Sequence, residues 1–119
     1  MNDDAPEVEA FERDLQGHRA RCAAYYRRAT YKQGRFLEGL FLCRLGLEMH
    51  VHWLPNETDI AKRRAKEVKI HNLETAFCIW CDRIRAAPLF LSLTPAEREA
   101  IDKDCFHVDF EHDPMERIP

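Results

Sequence analysis

The chain has 119 residues, 45% hydrophobic and 33% charged, and a formal net charge of −3. That length suits one domain, and the balance supplies a core and excludes wholesale disorder. The slight acidic excess weighs against a general nucleic-acid binder.

The charge is laid out in blocks. Residues 1–16 and 86–119 are acidic, residues 62–85 are basic, and residues 17–35 hold six basic groups and no acidic one. Such blocks predict solvated ends and a middle able to meet acidic surfaces. The five cysteines, Cys22, Cys43, Cys78, Cys81 and Cys105, are odd in number and mostly isolated within helical patterns. They read as reduced, buried thiols rather than a disulfide framework. The acidic start carries no apolar run, so no signal peptide is read and a cytoplasmic protein is expected.

In chain order, Asp3 or Asp4 caps a first helix with Pro6 in its first turn. Val8, Phe11, Leu15, His18, Cys22, Tyr25 and Ala29 then recur three or four apart, which predicts one long amphipathic helix weakened at Gly17. The pattern fades over residues 30–34.

Residues 36–54 form the stretch around which the rest is arranged. Only Glu38, Arg44 and Glu48 carry a full charge there. Phe36, Leu40, Cys43, Leu47 and Val51 share one broad face at helical periodicity. Leu37, Phe41 and Leu45 sit among the charges, and Arg44 and Glu48 are expected to pair on the wet edge for a few tenths of a kcal/mol. A helix apolar over most of its circumference needs cover over most of it. Three charges and two glycines make a core helix the better reading than a membrane span, which needs ~20 mostly apolar residues. The alternation over residues 49–54 leaves a short strand as the other option there.

Pro55 stops this helix, and residues 56–59 supply a turn and a fresh cap. The next helix is predicted over residues 59–87, solvent-facing across the charged residues 62–69. It is core-facing through Ile70, Leu73, Phe77, Trp80, Ile84 and Ala87, and Pro88 ends it. Residues 89–93 form an apolar connector. Thr94-Pro95-Ala96-Glu97 is a helix start with cap, first-position proline and capping-box glutamate. Phe106, Val108 and Phe110 alternate with polar residues, which is strand-like.

Among chemical motifs, Cys78 and Cys81 form a lone CxxC within a patterned helix, without the second ligand pair that zinc requires. His50, His52, His107, Asp109, Glu111 and His112 are ligand-competent types, but a polar strand face and satisfied histidines explain them more simply. No metal or cofactor is expected. Arg27, Arg28, Lys32, Arg35 and residues 62–69 make the best case for nucleic acid, and a solvated helix face is the commoner origin of such runs. No membrane partner is expected either.

The stretches Tyr25-Tyr26-Arg27-Arg28, leading into Phe36-Leu37-Glu38-Gly39-Leu40-Phe41, and Phe77-Cys78-Ile79-Trp80-Cys81 resemble the small antiactivators of LuxR-type quorum-sensing regulators. That resemblance implies a helical protein that binds a transcription activator and stops it working, and it assigns no functional residue. As the alternative, Arg64-x6-His71 and Arg44-x5-His50 are similar to the R-x4–6-H element of HEPN-type ribonucleases. Ala65 and Leu45 stand where a polar residue usually follows that arginine.

The sequence therefore predicts an all-α domain over residues 1–119, with flexible ends at about 1–5 and 113–119. It is read as a small bundle of three long helices and a short C-terminal one, with a minor strand over residues 106–110 as an option. A non-enzymatic regulatory role through a protein partner is expected, with Tyr25, Tyr26, Arg27 and Arg28 as partner-binding anchors. A homodimer is expected through Gly39, Leu40, Cys43, Gly46 and Leu47, because small residues in a helix allow close approach of a second backbone.

Overall fold

The computed structural model describes residues 5–108. The chain is all-α, with no strand among the described residues. Most of the expected terminal tails, with Asp109, Phe110, Glu111 and His112, lie outside them.

The first helical stretch is divided. Helix α1 (Ala5–Arg21) gives way to the short α2 (Ala23–Arg28) at Cys22, whose φ of −108° and ψ of 25° leave the helical region. The break falls at Cys22 rather than at Gly17. Below it, the Tyr25 amide donates to the Cys22 carbonyl at 3.0 Å, a tightened turn. The redirected α2 buries Tyr25 and swings Tyr26 back over α1.

Ala29 is extended, and Thr30 opens α3 (Tyr31–Trp53) through a capping box with Gln33. The Thr30 hydroxyl accepts from the Gln33 amide, and the Gln33 side chain accepts from the Thr30 amide. Two otherwise orphaned donors are thereby satisfied. Gly34 lies one turn in, where a β-carbon would stand 3.3 Å from the Tyr26 ring.

The buried row of α3 is Leu37, Leu40, Phe41, Arg44, Leu47 and Glu48. This row is displaced by about one position from the face expected on Phe36, Cys43 and Val51. The side carrying the charges is the deep one, so Arg44 and Glu48 do not pair on a wet edge. They are 6% and 2% exposed, and Arg44 Nη1 donates to Glu48 Oε1 at 2.5 Å within the fold. The row Phe36, Gly39, Cys43 and Gly46 is left on the less covered side.

Residues 49–53 stay helical rather than forming a strand, and a 3₁₀ turn (Leu54–Asn56) with Pro55 in it follows. Asp59 caps α4 (Ile60–Ala86) by accepting from the Lys62 amide. Residues 60–69 are exposed, as their charge predicts, and Ile70, Phe77, Cys81 and Ile84 are buried. Trp80, expected in the core, is 37% exposed because it lies one residue beside the buried Cys81. Pro88 opens a one-turn helix, α5 (Pro88–Leu91), and Thr94 with Glu97 caps α6 (Pro95–Ile101) as read.

Helix α6 does not yield to a strand at Phe106. It widens into a π-helical turn (Asp102–Phe106) that buries Asp104, Cys105 and Phe106 in succession. Three neighbouring side chains can then face inward. Phe106 meets the Phe90 ring at 5.8 Å, and the Arg85 guanidinium lies 4.6 Å over it. Helix α3 is central, in contact with α1, α4 and this turn. No described helix is long and apolar enough to cross a membrane.

Candidate functional site

Two features stand out: a buried polar cluster between α1 and the π-helical turn, and an apolar groove between α3 and α4. The cluster starts from helical spacing. His18 and Cys22 are four residues apart and face the same way. The π-helical turn brings Asp104 and Cys105 against them.

His18 is fully buried and stacked on Phe41 at 4.4 Å between ring centroids. Its Nδ1 lies 2.6 Å from Asp104 Oδ2, and its Nε2 lies 2.5 Å from the Tyr26 hydroxyl. Asp104 Oδ1 accepts from Arg21 Nε at 2.5 Å. The two sulfurs flank this pair: Cys22 Sγ is 3.8 Å from both His18 Nδ1 and Asp104 Oδ2. Cys105 Sγ stands 3.6 and 3.9 Å from the same two atoms. One ligand-capable atom from each of the four residues lies within 4.8 Å of every other.

The electrostatics bind these groups into one unit. Burial lowers the His18 pKa, but the Asp104 and Cys22 contacts outweigh it and the net shift is upward. Burial works to raise Asp104, and the hydrogen bonds from His18 and Arg21 hold it below the usual carboxylate range. The hydrogen bond with Cys105, opposed by burial and assisted by His18, brings the Cys22 thiol down to about 6. Cys105 is pushed up by that same bond and by burial. The contact the two thiols share thus shifts them in opposite directions. Cys22, Cys105 and His18 are all at or below 2% exposure, so the cluster is closed off from solvent.

The groove, about 350 Å³, is lined by Phe36, Gly39, Leu40, Cys43, Phe77 and Trp80 among others. Phe36 and Trp80 meet edge-to-face at 4.4 Å. The Arg83 guanidinium sits 4.5 Å over the Trp80 ring, and Arg35 borders the groove. Ile79 beside it is 48% exposed. A β-carbon on Gly39 or Gly46 would meet nothing within 4 Å, so packing within the chain demands neither glycine.

The residues singled out from sequence are dispersed. Of the anchors, Tyr25 is in the core, Tyr26 is tied to His18, Arg27 is exposed, and Arg28 reaches the Ser92 carbonyl at 3.1 Å. Of the dimer set, Gly39, Leu40 and Cys43 line the groove, while Leu40 and Leu47 are buried within the chain. For the ribonuclease alternative, Arg44 is engaged by Glu48, whereas Arg64 and His71 are exposed on α4. Cys78 is exposed and Cys81 buried, with burial lifting the latter's pKa to about 12. His107 donates to or accepts from nothing in the cluster; it lies 2.7 Å from Asp102 Oδ2.

Sequence reading missed the cluster. Its one local signal is His18-x3-Cys22, a ligand pair at helical spacing, which the apolar stripe of α1 absorbed. No protein-family model, curated protein or solved structure matches the chain.

Proposed function

We propose that this chain is a non-enzymatic regulatory protein that acts by holding an apolar helix of a protein partner in the α3/α4 groove. The single observation that carries this is the exposed Phe36–Trp80 pair over an apolar floor, bordered by Arg35 and Arg83. Aromatic and arginine side chains around a concave apolar surface are the usual anchors of helix-in-groove recognition. The basic border favours a partner helix flanked by acidic residues.

The specific form of this reading is an antiactivator of a LuxR-type transcription activator acting in the cytoplasm, and its support is the resemblance of the 25–28, 36–41 and 77–81 stretches. It is tested by co-expressing the chain with such an activator and its reporter. The chain is expected to silence the reporter, and Trp80→Asp, at a half-exposed position, is expected to restore it while circular dichroism stays unchanged. A reporter indifferent to the wild-type chain overturns the assignment.

A homodimer belongs to the same proposal, because its members that are not buried, Gly39, Cys43 and Gly46, follow one another along α3, the first two in the groove lining. Each glycine costs about 1 kcal/mol relative to alanine in a helix interior. With no neighbour inside the chain to require it, a second backbone is the natural reason. Gly46→Leu is expected to shift the dimer towards monomer in light scattering; a wild-type monomer at tens of micromolar would sink the idea. The ribonuclease reading has less support, since it needs Arg64 and His71 of α4 to converge with a second copy's.

A further inference from the structure

His18, Cys22, Asp104 and Cys105 have a composition and arrangement that their hydrogen bonds alone do not account for. Two buried thiols, an imidazole and a carboxylate each bring a ligand-capable atom within 4.8 Å of the other three. A tetrahedral zinc, with Zn–S of about 2.3 Å and Zn–N or Zn–O of about 2.0 Å, sets its ligand atoms roughly 3.3–3.8 Å apart. The four sulfur-to-nitrogen and sulfur-to-oxygen edges here are 3.6–3.9 Å. The edge from His18 Nδ1 to Asp104 Oδ2, 2.6 Å, is shorter than these four, and it needs to open by about an ångström at most.

The outer partners are also in place. A ligating histidine normally donates its other ring N–H to a polar partner, which fixes the tautomer, and ligating carboxylates are themselves hydrogen-bonded. His18 Nε2 faces the Tyr26 hydroxyl, and Asp104 Oδ1 is held by Arg21. Charge closes as well: a divalent cation, two thiolates and a carboxylate sum to −1, and Arg21 cancels it.

We propose that these four residues form a structural site for a divalent, thiophilic cation, zinc by its ligand chemistry, which clasps α1 to the C-terminal turn. On binding, whatever protons Cys22 and Cys105 hold in the free site leave to solvent, together with the one His18 shares with Asp104 through Nδ1. His18 presents its Nδ1 lone pair, with its proton on Nε2 donated to the Tyr26 oxygen. A closed four-ligand shell leaves no open position, so the ion stabilises rather than catalyses. Because the ligands come from segments more than 80 residues apart, the ion is captured as the fold closes. The proposal does not depend on the groove or its partner.

The test uses the whole chain, purified under reduction, stripped with a chelator and titrated with Co(II). Saturation at one equivalent is expected, with thiolate-to-cobalt charge transfer and the intense visible bands of tetrahedral cobalt, both erased by Zn(II). A Cys43→Ser/Cys78→Ser variant is expected to keep the full spectrum, and Cys22→Ser/Cys105→Ser to lose the charge-transfer band. A folded wild type without these bands, forming only a Cys22–Cys105 disulfide in air, overturns the site; so does their persistence in the second variant. Should that variant fail to fold, X-ray absorption of zinc-loaded Cys43→Ser/Cys78→Ser decides. Two sulfur and two nitrogen or oxygen neighbours support the site, and any other shell overturns it.

Discussion

Glu48→Ala is expected to destabilise the fold by about 3–5 kcal/mol, as removing one member of a buried ion pair typically does. Arg44 would remain, 6% exposed, with its guanidinium charge uncompensated and its Nε already lacking a hydrogen-bond partner. Against the 5–15 kcal/mol that holds a typical domain together, such a loss takes a large fraction. The cause is the stranded charge rather than a strong attraction, so removing both partners separates the two. Arg44→Leu/Glu48→Leu is expected to recover most of the loss, since buried ion pairs replaced by apolar residues of similar volume are often neutral or stabilising. Urea unfolding of the three proteins, compared at constant m-value, measures this. A double variant no more stable than Glu48→Ala would show that the pair itself holds α3 in place.

Phe41→Ala is expected to cost a similar amount, about 3–5 kcal/mol, the range for truncating a buried phenylalanine. Phe41 is 2% exposed and lies at a junction: its ring stacks on His18, and the Arg44 guanidinium stands 5.3 Å from its centroid. Truncation opens a cavity between two polar centres, so water gains access to both. The effect is therefore expected to be non-additive with Arg44 substitutions, which share the contact. Phe36→Ala is the control. That ring is half-exposed and meets only the face of the groove, so about 1 kcal/mol is expected, the worth of its aromatic pair with Trp80. Equal losses at the two positions by thermal unfolding would mean that Phe41 does not organise the core.

How much was legible follows from which forces act locally. Helix starts at Asp59 and Thr94 were readable because a cap and its amide lie three residues apart. The helical class was readable from periodicity, and the solvent-facing half of α4 from its run of charges. The rotation of α3 was not, because a helix apolar on most sides gives no clear inner face. The face that turns inward carries Arg44 and Glu48, which pair with each other there. The break at Cys22 escaped for a related reason. Cysteine and histidine fit the apolar stripe of α1 by spacing, while their partners, Asp104 and Cys105, lie in a π-helical turn that periodicity does not announce. Trp80 was assigned inward by the same three-and-four spacing, although its neighbour Cys81 takes the interior position.

The contact between His18 and Asp104 joins residues 86 positions apart. Closing a loop of that size costs chain entropy, roughly 4 kcal/mol from the logarithmic length term alone. Helices α3 and α4, joined by a short turn, face no comparable cost and can assemble first. The α1–Asp104 clasp can therefore close onto a scaffold formed before it, and weakening it is expected to let α1 and the π-helical turn part while α3 and α4 stay packed.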